Sequence, residues 1–234
     1  LVIDQLCDYS AVDAGKVRNA LIGSGLSVLS VRRIFTTVKA VINLAIAEHG
    51  LDIRNAFAAI YMPEAESKKR VSIPLETIRW IQQSCVEHDD DMRWLIALIS
   101  DTGMRLAEAA GLHINDIKLE KDIPYVDIKP HSWRSLKTKG SQRQVPLVGA
   151  SLWAAQRIEA NASSCFAFQR YTDNARCIAN SASNALNKWL HANFRHDIVI
   201  HGFRHAMRDR LRAVSCPSEM IDQIGGWSSG KVGE

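Results

Sequence analysis

The sequence predicts a mainly α fold with a small antiparallel β-sheet, arranged as two domains. Three observations carry this. Apolar residues recur at three-and-four spacing over long stretches on both sides of the middle of the chain. Four short runs between residues 117 and 145 are separated by turn signals. A polar, charged stretch at residues 62–70 divides the two parts. At 234 residues, with 47% hydrophobic and 23% charged residues, the chain has ordinary globular composition and enough length to bury a core. No apolar run approaches the roughly 18 residues that a membrane helix needs. The first residues, Leu1 to Gln5, lack the basic flank and apolar run of a signal peptide, and without a Met they read as starting inside a longer gene product.

The first domain, residues 1–66, reads as helical. Between positions 30 and 47, apolar residues fall at 31, 34, 35, 38, 41, 42 and 45, so one face should be buried, with Arg32, Arg33 and Lys39 turned away. Gly50 is the expected stop. Residues 67–72 are the expected linker and contain Lys68, Lys69 and Arg70. The second domain, residues 73–234, opens with Pro74 in the first turn of a helix reaching about position 88. Another helix covers about 90–100, Thr102-Gly103 makes a turn, and a short helix starts at about Arg105. Runs at 117–119, 125–128, 135–137 and 143–145 are expected strands. Helices return at about 150–161, 181–194, 202–214 and 218–224.

Charge is segregated although the net value is only +4. Residues 129–143 hold five basic residues and no acid. Residues 195–212 hold five arginines against Asp197 and Asp209, together with His196, His201 and His205. Residues 85–122 reverse the sign, with nine acids and four bases. The pattern fits one anion-binding face and one acidic, solvated face; solvated surface clusters would look the same. Five scattered cysteines without a C-x-x-C pair read as reduced thiols in a cytoplasmic protein.

Four places could carry chemistry. In Thr102-Gly103-Met104-Arg105-Leu106-Ala107-Glu108, the carboxylate of Glu108 lies on the helical face of Arg105 and could orient its guanidinium; a surface ion pair would read identically. Around Lys137-Thr138-Lys139-Gly140-Ser141, a lysine beside a turn could reach a phosphate, or merely be solvated. In His201-Gly202-Phe203-Arg204-His205, His201 and Arg204 share a face. The His201/His205 spacing is weak for zinc, because Gly202 stands where a metalloprotease helix needs glutamate. In Gly225-Gly226-Trp227-Ser228, the indole is either a core residue or a donor toward a phosphate oxygen.

Taken in order, these elements resemble the tyrosine recombinases, the phage integrase family, over essentially the whole chain. The resemblance implies a helical core-binding domain at 1–66, lacking its start, and an α+β catalytic domain at 73–234. It implies site-specific recombination of double-stranded DNA, of phage or prophage integrase type, through a 3′-phosphotyrosyl intermediate. Arg105 and Arg204 would clamp the non-bridging oxygens, and His201 and Trp227 would add donors. Lys137, or its rival Lys139, would protonate the leaving 5′-oxygen, and Glu108 would support the site. Lys68, Lys69, Arg70, Lys139 and Arg143 would contact the DNA backbone. No metal or other cofactor is implied.

The resemblance places the nucleophilic tyrosine near position 236, beyond Glu234, whereas Tyr9, Tyr61, Tyr125 and Tyr171 all precede His201. The chain as given is therefore expected to bind DNA and hold a phosphate without cleaving it by this route. The expected assembly is a tetramer on paired sites and a monomer in solution, in the cytoplasm and away from membranes. A DNA-binding module or regulator without cleavage activity is the alternative. A type IB topoisomerase and a metal-dependent nuclease are weaker readings; insensitivity to EDTA would separate a recombinase from the nuclease.

Overall fold

The computed structural model describes residues 5–64 and 72–227, and several helix boundaries in it follow local capping chemistry. The chain divides into two compact units at Arg70 and Val71. In the first unit, α1 (Ala11–Gly23) is opened by a reciprocal pair: Ser10 Oγ accepts from Asp13 N–H, and Asp13 accepts from Ser10 N–H. Helix α2 (Val28–His49) starts at Ser27 and stops at Gly50, whose left-handed φ of 59° is the conformation glycine adopts most cheaply. Ala14, Val31, Phe35 and Phe57 form the small core, with the Phe35 and Phe57 rings 5.7 Å apart.

Two expectations for α2 are corrected. Ile34 and Val41, expected on the buried face, are exposed, Val41 at 61%. The apolar stripe on α2 is wider than the cover this unit supplies, so Leu44 is exposed as well. Lys39, expected to point away, is partly buried and its Nζ donates to Ala58 O.

The second unit is built on α3 (Leu75–His88) and α4 (Asp91–Thr102), followed by α5 (Leu106–Ala110). Asp90 caps α4 by accepting from Arg93 N–H. The sheet has three antiparallel strands in sequence order: β1 (Ile117–Lys118), β2 (Tyr125–Ile128) and β3 (Arg143–Pro146). Val126 pairs with Ile117 on one side and Val145 on the other. Helices α6 (Gly149–Ala160), α7 (Ala179–Asn193), α8 (Gly202–Ala213) and α9 (Ser218–Gly225) complete it. Ile78, Ile81, Leu95, Leu98, Val126, Ile158, Leu190 and Phe203 share one continuous core.

The expected strand at 135–137 does not form. Strand β3 pairs directly with β2, which leaves no edge between them for another strand. Residues 129–142 instead make a loop anchored at its base. Asp116, buried, lies 2.8 Å from Lys129 Nζ and 2.6 Å from His131 Nε2. Burial raises the Asp116 carboxyl, but these two partners outweigh it and hold the group below the ordinary aspartate range. The Arg134 guanidinium turns inward to Glu108 O and Lys129 O. Trp133 donates to Gly111 O and stacks on His131 at 4.4 Å.

The expectation of one basic face over 129–143 is corrected by the same contacts. Lys129, Arg134 and Arg143 all have internal partners, while Lys137 is exposed.

Candidate active site

Four segments converge at the C-terminal end of the second unit. Gly103 ends α4 with φ 62°, and Arg105 then precedes α5. A Cβ on Gly103 would meet Met207 of α8 at 3.0 Å, so this turn admits α8 closely. Arg105 is held from several sides. Its Nη1 donates to Glu108 Oε1 at 2.7 Å and Ser141 Oγ at 3.1 Å, and its Nη2 donates to Gly226 O at 3.1 Å.

Arg204 reaches the same turn from α8. Its Nη2 donates to Gly225 O at 2.5 Å and its Nη1 to Gly103 O at 2.7 Å. The residue is only 3% exposed. The Trp227 ring lies against its guanidinium, 4.3 Å from Cζ, and Arg208, one helical turn on, lies 5.4 Å from the same ring. Burial, together with Arg105, Arg143 and Arg208 and against the pull of Glu108, lowers the Arg204 pKa to about 10. It therefore stays charged at neutral pH.

Glu108 is the carboxylate at the centre of this cluster. It accepts Arg105 N–H at 2.9 Å and Arg143 Nη2 at 2.9 Å. Burial raises its pKa, yet Arg143 and Arg105 outweigh burial and leave the group below the ordinary glutamate range.

Arg143, expected on the DNA backbone, is corrected to an interior brace. Its side chain is 3% exposed, and it donates to Glu108, Ser141 O and Ile224 O. These acceptors engage all three of its guanidinium nitrogens. Gly226, at φ 59°, also lies beneath it; a Cβ there would meet Arg143 Nη1 at 2.8 Å.

His201 is exposed at the start of α8, with its ring 5.0 Å from that of His205. Lys137 is exposed in the β2–β3 loop; the backbone of Lys139 begins a 3₁₀ turn, and its side chain lies outside the described residues. Lys68, Lys69 and Arg70 also lie outside the described residues. Among the tyrosines, Tyr9 packs on Phe57, Tyr61 is exposed in the first unit, Tyr125 pairs with Pro146 in the sheet and Tyr171 is buried. The five cysteines are free, and among the described residues no group of His, Cys, Asp and Glu could hold a metal. No helix among them is long and apolar enough to cross a membrane. Sequence reasoning missed Ser141, which carried no signal, and Arg208, whose four-residue spacing from Arg204 was a readable one.

The same arrangement predicts the effect of Gly225→Ala. A Cβ there would fall 1.8 Å from the Trp227 ring, so the ring must leave its place against Arg204. The expected cost is about 1–3 kcal/mol, read as a lower melting temperature with a change in tryptophan fluorescence. Wild-type values for both would mean that the ring does not pack there.

The family model of the phage integrase family matches residues 74–232. This chain belongs to that family. The integrase-family fold extends to solved structures of low sequence identity. The Tn1549 transposon integrase in complex with a circular intermediate DNA is 17% identical, with a TM-score of 0.71 over 96% of this chain and 79% of that one. A lambda integrase dimer bound to a COC′ core site is 17% identical, with a TM-score of 0.69 over 98% and 80%. A lambda integrase tetramer bound to a Holliday junction is also 17% identical, with a TM-score of 0.67 over 98% and 67%. No curated protein matches the sequence.

Proposed function

We propose that this integrase-family chain works in site-specific recombination of double-stranded DNA, as a phage- or prophage-type integrase acting through a 3′-phosphotyrosyl intermediate. One observation carries the reading. Arg105 and Arg204, brought together from distant segments, bind the adjacent carbonyls of Gly226 and Gly225, and Arg143 and Arg208 add charge around the central carboxylate of Glu108. A cluster with this excess of positive charge favours an anion, and forked guanidiniums suit the non-bridging oxygens of a phosphodiester.

In this reading a tyrosine hydroxyl attacks phosphorus, a bond forms between its oxygen and phosphorus, and the bond to the 5′-oxygen breaks. Arg105 and Arg204 stabilise the added charge on the non-bridging oxygens, and His201 and Trp227 supply further donors, with His201 assisting proton movement. Lys137, or Lys139 in its place, gives its proton to the leaving 5′-oxygen. Glu108 holds Arg105 in position.

Residues 1–66 serve as the core-binding domain and 73–234 as the catalytic domain, joined by the basic segment containing Lys68, Lys69 and Arg70. DNA relatives such as the lambda tetramer on a Holliday junction support assembly as a tetramer on paired sites. The free protein is a monomer, and the cytoplasm is its place of action.

Two measurements test this. Duplex binding by the chain, followed by fluorescence anisotropy, is expected to weaken by roughly 10³-fold between about 50 and 200 mM salt. The full-length protein, given a nicked duplex of its own recombination site, is expected to form a denaturant-resistant adduct on the 3′-phosphate, equally with and without EDTA. Strand cleavage that EDTA abolishes would overturn the reading. Salt-dependent binding with no adduct would replace it with a DNA-binding regulator.

A further inference from the structure

Ser141 joins the segment bearing Lys137 to Arg105. Its side chain is completely buried, and it sits at the end of the 3₁₀ turn Lys139–Ser141. Its Oγ accepts from Arg105 Nη1 at 3.1 Å and lies 2.9 Å from Thr138 Oγ1. Because Arg105 can only donate, the Ser141 hydroxyl hydrogen is free to point at Thr138. The backbone closes the same turn, with Ser141 N–H donating to Thr138 O at 3.0 Å. Arg143 Nη1 then fixes Ser141 O at 2.7 Å.

Lys137 is the residue immediately before this sealed turn. On its other side Leu136 packs, partly buried, against the core, and Arg134 is bound inside. The lysine is thus exposed but suspended between two anchored neighbours. One of those anchors is hydrogen-bonded to the arginine that would hold the phosphate.

We propose that Ser141 is a positioning residue, fixing the Lys137 segment against Arg105 so that proton donor and phosphate clamp keep one relative placement. The placement rests on the contacts above; its catalytic meaning rests on the proposed role of Lys137 as general acid. Arg105 keeps Glu108 and Gly226 as partners without Ser141, so the hydroxyl matters chiefly to the loop.

Two arms test this with Ser141→Ala and Ser141→Thr. In the first, the chain is treated with limiting trypsin and nicking after Lys137 is compared with nicking after exposed Lys121 by intact mass. Losing a net hydrogen bond shifts a local opening equilibrium by about fivefold. Ser141→Ala should therefore raise the Lys137-to-Lys121 ratio by about that factor, and Ser141→Thr should stay near wild type. An unchanged ratio in Ser141→Ala overturns the proposal.

In the second arm, the full-length protein cleaves a duplex with the leaving 5′-oxygen intact or replaced by sulfur, which departs as thiolate without a proton. Ser141→Ala should be about tenfold slower on the oxygen substrate and within about twofold on the sulfur one. An equal loss on both substrates, or none on either, overturns the positioning role. If wild type itself forms no adduct, the recombinase reading fails, and the trypsin arm still decides whether Ser141 holds the loop.

Discussion

Replacing Arg204 by alanine in the full-length protein is expected to lower formation of the covalent adduct by at least about a hundredfold, the usual cost of deleting one transition-state donor. The effect should sit in the chemical step. Arg204 is almost wholly covered, so it adds little to the long-range attraction between protein and duplex. Duplex affinity and its salt slope should stay close to wild type. Arg204 also ties Gly103 to Gly225, so some thermal stability should go with it. Arg204→Lys separates the two effects: the ammonium restores the charge but cannot fork between two oxygens, so stability should recover more than cleavage. Full cleavage in the alanine variant would remove Arg204 from the site.

Glu108→Ala is expected to be the most destabilising single change at the site. Glu108 is buried, and its two oxygens bind Arg105 and Arg143, the latter itself interior. Deleting one partner of a buried pair leaves a charge without compensation and costs about 3–5 kcal/mol. For a domain of this size that is a fall of roughly 10–15 °C in melting temperature. Glu108→Gln keeps the shape and removes the charge, and should lie between.

The pH dependence has a definite sign. Glu108 has a lower pKa folded than unfolded, so its contribution is complete above the ordinary value of 4.5 and is lost as pH falls through the depressed folded value. Asp116 acts in the same direction. Melting curves taken across that acid range should show wild type losing stability more steeply than Glu108→Gln. Parallel curves would show that the Glu108 charge is not what the two arginines hold.

Most elements were legible because their signals are local. Helical spacing and turn residues located each α-helix described in the second unit within a few residues, and Gly50 and Gly103 marked stops that need a left-handed backbone. The strand expected at 135–137 failed for a non-local reason. Pairing belongs to whichever strand finds a partner edge, and β3 had already taken β2. Likewise, the spacing of Ile34 and Val41 announced an apolar stripe on α2 but could not say how much of it a neighbour covers.

The sequence alone determined the order of the arginine, lysine and histidine elements, and with it the family to which the chain belongs. Which cations face outward was decided by the tertiary structure. Arg143 and Lys137 look alike in a basic run, yet one is enclosed by Glu108 and two backbone carbonyls while the other remains in solvent. A buried guanidinium must find acceptors for its donors, and those acceptors come from α5, from α9 and from the loop itself. Those from α5 and α9 lie far away in sequence, so the division between brace and binding surface exists only once the segments have met.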